Sequence, residues 1–194
     1  MLRIVASDQA ELDGLKLDLD ALVRPCPVLP GCHHKPMPPS ARWMAPEQWA
    51  LLKQGEGCGF CADMHMEVNE FSFLVAELEW SYVRFARNQY RRGWTLLALK
   101  RHACELFELT DDESAGFWRE VAAVARALDH VYQPAKMNYA VFGNLSPHIH
   151  CHLVPQFFSD DPTLPLNMQA EDVRLEELDY QQIVQALRQA LRGA

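Results

Sequence analysis

No apolar run in this 194-residue chain approaches the roughly 18 residues needed to cross a bilayer. Residues 1–25 carry scattered acids in place of the basic, apolar and small-residue sections of a signal peptide. Both absences exclude a membrane-spanning helix and an export leader, and the chain is expected to stay in the cytoplasm. Basic residues are also scarce: 18 Lys and Arg against 26 Asp and Glu leave a net charge of −8. With a pI of 5.4, a broad nucleic-acid footprint is excluded. No phosphate-cradling Gly-x-x-x-x-Gly-Lys loop occurs either. Six cysteines without an export signal read as reduced thiols, and the Cys58/Cys61 spacing suits a metal better than a disulfide framework.

Acid is missing locally as well. Between Glu79 and Glu105 there is none, while Arg84, Arg87, Arg91, Arg92, Lys100 and Arg101 lie in that stretch; between Asp129 and Asp160 there is again none. An acidic protein can therefore hold an anion at these two segments, although a run of arginines is more often a solvated face. The second segment contains Pro147-His148-Ile149-His150-Cys151-His152-Leu153-Val154-Pro155. As a β-strand it turns His148, His150 and His152 to one surface and packs Ile149, Cys151 and Leu153 behind them. Imidazole serves as nucleophile, proton donor or metal ligand near neutral pH, so this row implies a covalent active site or a metal centre.

Hydrophobic content of 49% in 194 residues supports one sizeable core, with residues 1–45 as an N-terminal extension and 46–194 as the domain. The extension holds a Leu/Val-rich stretch, Leu12 to Val23, and a Pro-rich loop, Pro25 to Pro39. Pro46 to Gln54 reads as a helix stopped by Gly55 and Gly57. Strands are predicted at 71–78, 81–87, 94–99, 137–142 and 148–154. Between the third and fourth, Thr110 and Glu113 form a capping-box pattern. Phe117, Val121, Val124, Ala125, Leu128 and Val131 then mark a helix that runs to Pro134. Ile183, Leu187 and Leu191 place a stripe on a C-terminal helix. The fold class is α+β: about five antiparallel strands and two main helices.

His-Ile-His-Cys-His-Leu-Val at 148–154 resembles the His-x-His-x-His-x-x signature of the histidine triad superfamily of nucleotide hydrolases and transferases. Asn138 to Asn144 is similar to that family's approach to the triad, in the branch with Gly-Asn. Gly93 to His102 is similar to its strand ending in Pro-Lys-x-His, with Ala98 where proline is usual. Cys58-Gly59-Phe60-Cys61 resembles the Cys-x-Phe-Cys that opens many bacterial members.

The resemblance implies hydrolysis at the α-phosphate of a nucleoside phosphoramidate or dinucleoside polyphosphate through a nucleotidyl-histidine, and a homodimer. His150, flanked by an imidazole on each side, is the nucleophile; His148 and His152 are phosphoryl donors and Asn144 a phosphate contact. Asn88, Asn138 and Lys100 match substrate-side polar positions loosely. The resemblance also implies a structural zinc on Cys58, Cys61, His102 and His148, with His65 a rival ligand; the chemistry itself needs no cofactor. Zinc and phosphate would then compete for His148. His33 and His34 read as solvated, and His130 as part of a helix end. A nucleotidyltransferase and a zinc-stabilised nucleotide-binding or interaction module without turnover are the alternatives.

Overall fold

A computed structural model describes residues 43–164, 166 and 172–193. The Leu12–Val23 stretch, the Pro-rich loop, His33, His34, Cys26 and Cys32 lie outside these. The first helix, α1 (Pro46–Lys53), has proline in its first turn and ends before Gly55, which takes a φ of 88°. A second short helix, α2 (Gly59–Asp63), starts at Cys58, where only a turn with two cysteines is legible from sequence.

Strands β1 (Ser72–Glu77), β2 (Ser81–Ala86) and β3 (Thr95–Leu99) form an antiparallel meander. Helix α3 (Asp111–Tyr132) follows; the Thr110 hydroxyl accepts from Glu113 N–H, while the Glu113 side chain accepts from Thr110 N–H, so the capping box is complete. It closes at Gln133 in the left-handed region, just before Pro134. Then come β4 (Lys136–Val141), β5 (His150–Gln156) and α4 (Glu177–Arg192). The sheet order is β1-β2-β3-β5-β4, every pair antiparallel, so the α3 excursion lets β5 insert between β3 and β4.

Alternation divides the sheet. Phe73, Val83, Phe85, Leu97, Cys151 and Leu153 face α3 and α4, where Phe117, Val121, Val124, Leu128, Tyr180, Val184 and Leu187 close the core. Each large apolar side chain so buried contributes about 1.5–3 kcal/mol. On α4 the buried face is centred on Tyr180, Val184 and Leu187, with Ile183 and Leu191 partly buried beside it. Tyr180 extends the stripe because its hydroxyl finds polar partners, accepting from Leu175 N–H and donating to Arg87 C=O. Glycine at 93 is dictated by its φ of 85° and by Pro155 Cγ, which lies 2.9 Å from where a Cβ would stand.

Strand β5 begins at His150, two residues later than the alternation predicts. His148 N–H closes a tight turn onto Ser146 C=O, and Ile149 N–H goes to Ala103 C=O instead of a ladder partner. The chain bends at His148, which frees its ring for other contacts.

Candidate active site and metal cluster

His150 and His152 project from β5 on the face opposite the core, and Ile149, Cys151 and Leu153 are buried behind them. The partners fix each tautomer. His150 Nδ1 lies 2.6 Å from His148 C=O, and a carbonyl only accepts, so the ring proton is on Nδ1 and the Nε2 lone pair is free. Trp94 Nε1 lies 3.1 Å from His152 Nδ1; indole only donates, so His152 carries its proton on Nε2. A nucleophilic nitrogen and a donor nitrogen stand on neighbouring rings, centroids 4.9 Å apart.

Burial penalises the charged forms of these rings. It lowers His150 below the ordinary imidazole range, and burial together with neighbouring His150 takes His152 down to about 3. Both are neutral at pH 7, as a lone-pair nucleophile requires.

His148 is spent elsewhere. Its Nε2 donates to Leu99 C=O at 2.8 Å, and its Nδ1 lies 3.5 Å from the sulfur of Cys58 and 3.5 Å from that of Cys61. Both ring nitrogens of His148 are therefore engaged, one with a carbonyl and one with the two sulfurs.

His102 repeats the pattern: Nδ1 is 3.4 Å from Cys61 Sγ, while Nε2 is 3.2 Å from Lys53 C=O. Ligand atoms of Cys58, Cys61, His102 and His148 lie within 4.8 Å of one another. Separations of 3.4–3.5 Å between sulfur and nitrogen match the edges of a tetrahedron whose ligands stand about 2.0–2.3 Å from its centre. Each imidazole is oriented by a backbone carbonyl on its other nitrogen, the usual support of a metal-bound histidine. The four residues therefore fit zinc. His65 is exposed and outside this group.

The remaining candidates scatter. Asn144 is exposed in the loop between β4 and β5. Asn138 donates to Gln156 Oε1 at 3.1 Å on the imidazole-bearing face. The Asn88 side chain accepts from Tyr90 N–H and Val173 N–H, which makes it a loop brace. Lys100 pairs with Glu77 at 2.8 Å. The arginines are also engaged: Arg87 with Glu177, Arg91 with Asp160, Arg92 over the Phe157 ring and Arg101 with Glu113. Arg84 is wholly buried, donating to Ser72 Oγ and to the carbonyls of Ser72, Met64 and Met66.

Four site neighbours were not legible as such in the sequence. Phe60 stacks on His150 with centroids 4.4 Å apart, Trp94 holds His152, Arg84 grips the segment after α2, and Cys104 packs 3.6 Å from His102 Nε2. Phe60 is visible only as the aromatic of the Cys-x-Phe-Cys pattern, and Trp94 only as an indole that seeks an acceptor when buried. A groove of about 660 Å³ between β1 and α4, lined by Glu67, Leu178, Gln185 and Arg188, contains no imidazole. Donor chemistry, not volume, locates the site.

Residues 68–159 match the HIT domain family. This stretch is a HIT, or histidine triad, domain, a kind found typically in nucleotide hydrolases and transferases. Among solved structures, a histidine triad protein from Bradyrhizobium japonicum is 25% identical with a TM-score of 0.59, over 66% of this chain and 97% of that one. One from Marinobacter aquaeolei VT8 is 19% identical with a TM-score of 0.60, over 68% and 96%. A zinc-bound histidine triad family protein from Mycobacterium smegmatis is 23% identical with a TM-score of 0.53, over 70% and 94%. No curated protein matches the chain.

Proposed function

We propose that the protein hydrolyses a nucleoside phosphoramidate or dinucleoside polyphosphate at its α-phosphorus, with His150 as the nucleophile. The observation that carries this is the His150 Nδ1–H bond to His148 C=O, which leaves the Nε2 lone pair as the reacting atom. Nε2 attacks the α-phosphorus, and the bond to the leaving amine or phosphate breaks on the opposite side, an amine departing with a proton drawn from solvent that the water of the second step returns. His152 Nε2–H donates to a phosphoryl oxygen as charge is redistributed. Water then breaks the phosphorus–nitrogen bond, releasing a nucleoside monophosphate and restoring the imidazole. Asn144 is assigned to the phosphate, Asn138 to the substrate side.

Zinc on Cys58, Cys61, His102 and His148 would supply a structural tie between α2 and the start of β5. The zinc-bound neighbour from Mycobacterium smegmatis supports this assignment. Reduced zinc-binding cysteines suit the cytoplasm, and no described helix is long and apolar enough to cross a membrane. Among the described residues, strand β4 is an open sheet edge with Tyr139 and Val141 exposed, which supports pairing with a second copy.

His150→Ala is expected to abolish turnover of adenosine phosphoramidate and diadenosine tetraphosphate with far-UV circular dichroism unchanged. Wild-type protein quenched during turnover should carry a phosphorus–nitrogen adduct detectable by mass. Undiminished turnover in the variant would refute the role.

A further inference from the structure

Two contacts that fix the His150 ring come from β5 or its entry turn: His148 C=O on Nδ1, and the edge of His152 at 4.9 Å and 72°. The third comes from outside the strand. Phe60 on α2 lies nearly parallel to His150, at 4.4 Å and 27°, and reaches His148 at 5.2 Å and 16°. Displacement at phosphorus needs the Nε2 lone pair, which lies in the ring plane, in line with the departing group. One hydrogen bond at Nδ1 leaves the plane free to tilt about that bond. A face held by Phe60 and an edge of His152 remove the tilt.

Helix α2 has only five residues and none of them buried, so it is too short to hold a position unaided. It is gripped at both ends. Cys58 precedes it and Cys61 lies within it, both against His148, while Arg84 donates to the carbonyls of Met64 and Met66 just beyond it.

We propose that Phe60 is a positioning residue for the nucleophile, and that the cysteine–histidine cluster and Arg84 together clamp α2 so that the Phe60 ring sets the plane of His150. This rests on the reading of His150 as nucleophile. The metal ligands thereby bear on turnover without touching the reacting atoms.

The test uses the zinc-loaded full chain in four forms: wild type, Phe60→Ala, Phe60→Leu and Phe60→Tyr. Zinc content is measured on each, and adenosine phosphoramidate is the substrate. Phe60→Ala is expected to lower kcat by about ten- to a hundredfold, the cost of misplacing a reacting group by an ångström or less, with KM little changed. Phe60→Tyr should recover most of the loss and Phe60→Leu an intermediate part. Carbon-13 relaxation of the His150 ring C–H bonds, assigned against His150→Ala, should show a rigid ring in wild type and Phe60→Tyr and added ring motion in Phe60→Ala, with the Nδ1–H tautomer kept in all three. An unchanged kcat, or a loss confined to KM, would overturn the proposal, the latter by making Phe60 a substrate contact. If wild type turns over none of its substrates, the hydrolase reading fails, and ring relaxation still decides the positioning role: a His150 ring as rigid in Phe60→Ala as in wild type would sink it.

Discussion

Arg84 is the one described arginine fully out of solvent, and no carboxylate among the described residues lies within hydrogen-bonding distance of it. Burial pulls its guanidinium down to about 10, with Asp63 and Glu67 acting against that shift, so it stays charged at neutral pH. Taking such an ion out of water costs several kcal/mol. What offsets the cost is four acceptors: Ser72 Oγ and the carbonyls of Ser72, Met64 and Met66. Ser72 C=O also accepts from Asn69 N–H. Replacing Arg84 by methionine removes the ion and its burial cost together, and leaves chiefly the Met64 and Met66 carbonyls without their donor. A buried orphan costs about 1–3 kcal/mol; only the Met64 carbonyl is one, since Met66 is exposed and water can reach it, so the net loss is about 2 kcal/mol. For a domain of this size that lowers Tm by roughly 4–8 °C. Thermal unfolding followed by circular dichroism at fixed zinc and pH 7 measures it, with zinc retention read on the same sample. Arg84→Lys, whose ammonium is a point donor, should recover only part of the loss. A Tm within about 2 °C of wild type in Arg84→Met, or above it, would refute the reasoning. Relief of burial would then outweigh the lost bonds, as it does when a hydrophobe replaces some buried ions.

Three further outcomes follow from the same geometry. His152 falls from an ordinary 6.5 to about 3 on folding, so between those values the unfolded chain binds the extra proton and stability drops as pH falls; at most about 1.4 kcal/mol per pH unit is at stake. Urea midpoints of wild type should therefore decline more steeply below pH 6.5 than those of His152→Asn, and parallel slopes would contradict the assignment. Stripping zinc with a chelator should lower Tm by several degrees, and Cys58→Ser should leave protein with less than one zinc per chain by metal analysis; a wild type that never binds zinc defeats the cluster. Val141→Lys on the open β4 edge should shift sedimentation from dimer to monomer, whereas a monomeric wild type at every concentration would remove the pairing altogether.

What the sequence disclosed was whatever has a short-range signature. The capping box at Thr110 and Glu113, the α3 stripe and the alternation around Cys151 each rest on residues within a few positions of one another, and each is present. The same rule explains the displacements. Strand β5 loses its first two predicted residues because Ser146, Ala103 and the cysteines compete for His148 and Ile149, partners that lie outside the alternating stretch or far along the chain. Arg84 sits in an alternating strand that reads as having a solvated face; only the return of the Met64–Ser72 segment makes it interior.

Spacing could place three imidazoles on one surface but could not divide their labour, because a ring's role is set by what holds its second nitrogen. A carbonyl does this for His148 and His150, a distant indole for His152. His148 and His150 both donate to a carbonyl, yet through opposite nitrogens, and that difference alone turns one ring's lone pair to the cysteines and leaves the other's for the proposed attack on phosphorus. His148 joins the two proposed sites in one residue: its ring belongs to the cysteine–histidine cluster and its carbonyl orients the proposed nucleophile. A substitution that kept a ligand at 148 but shifted its backbone would spare zinc and still cost turnover, a separation that inspection of ligands alone does not anticipate.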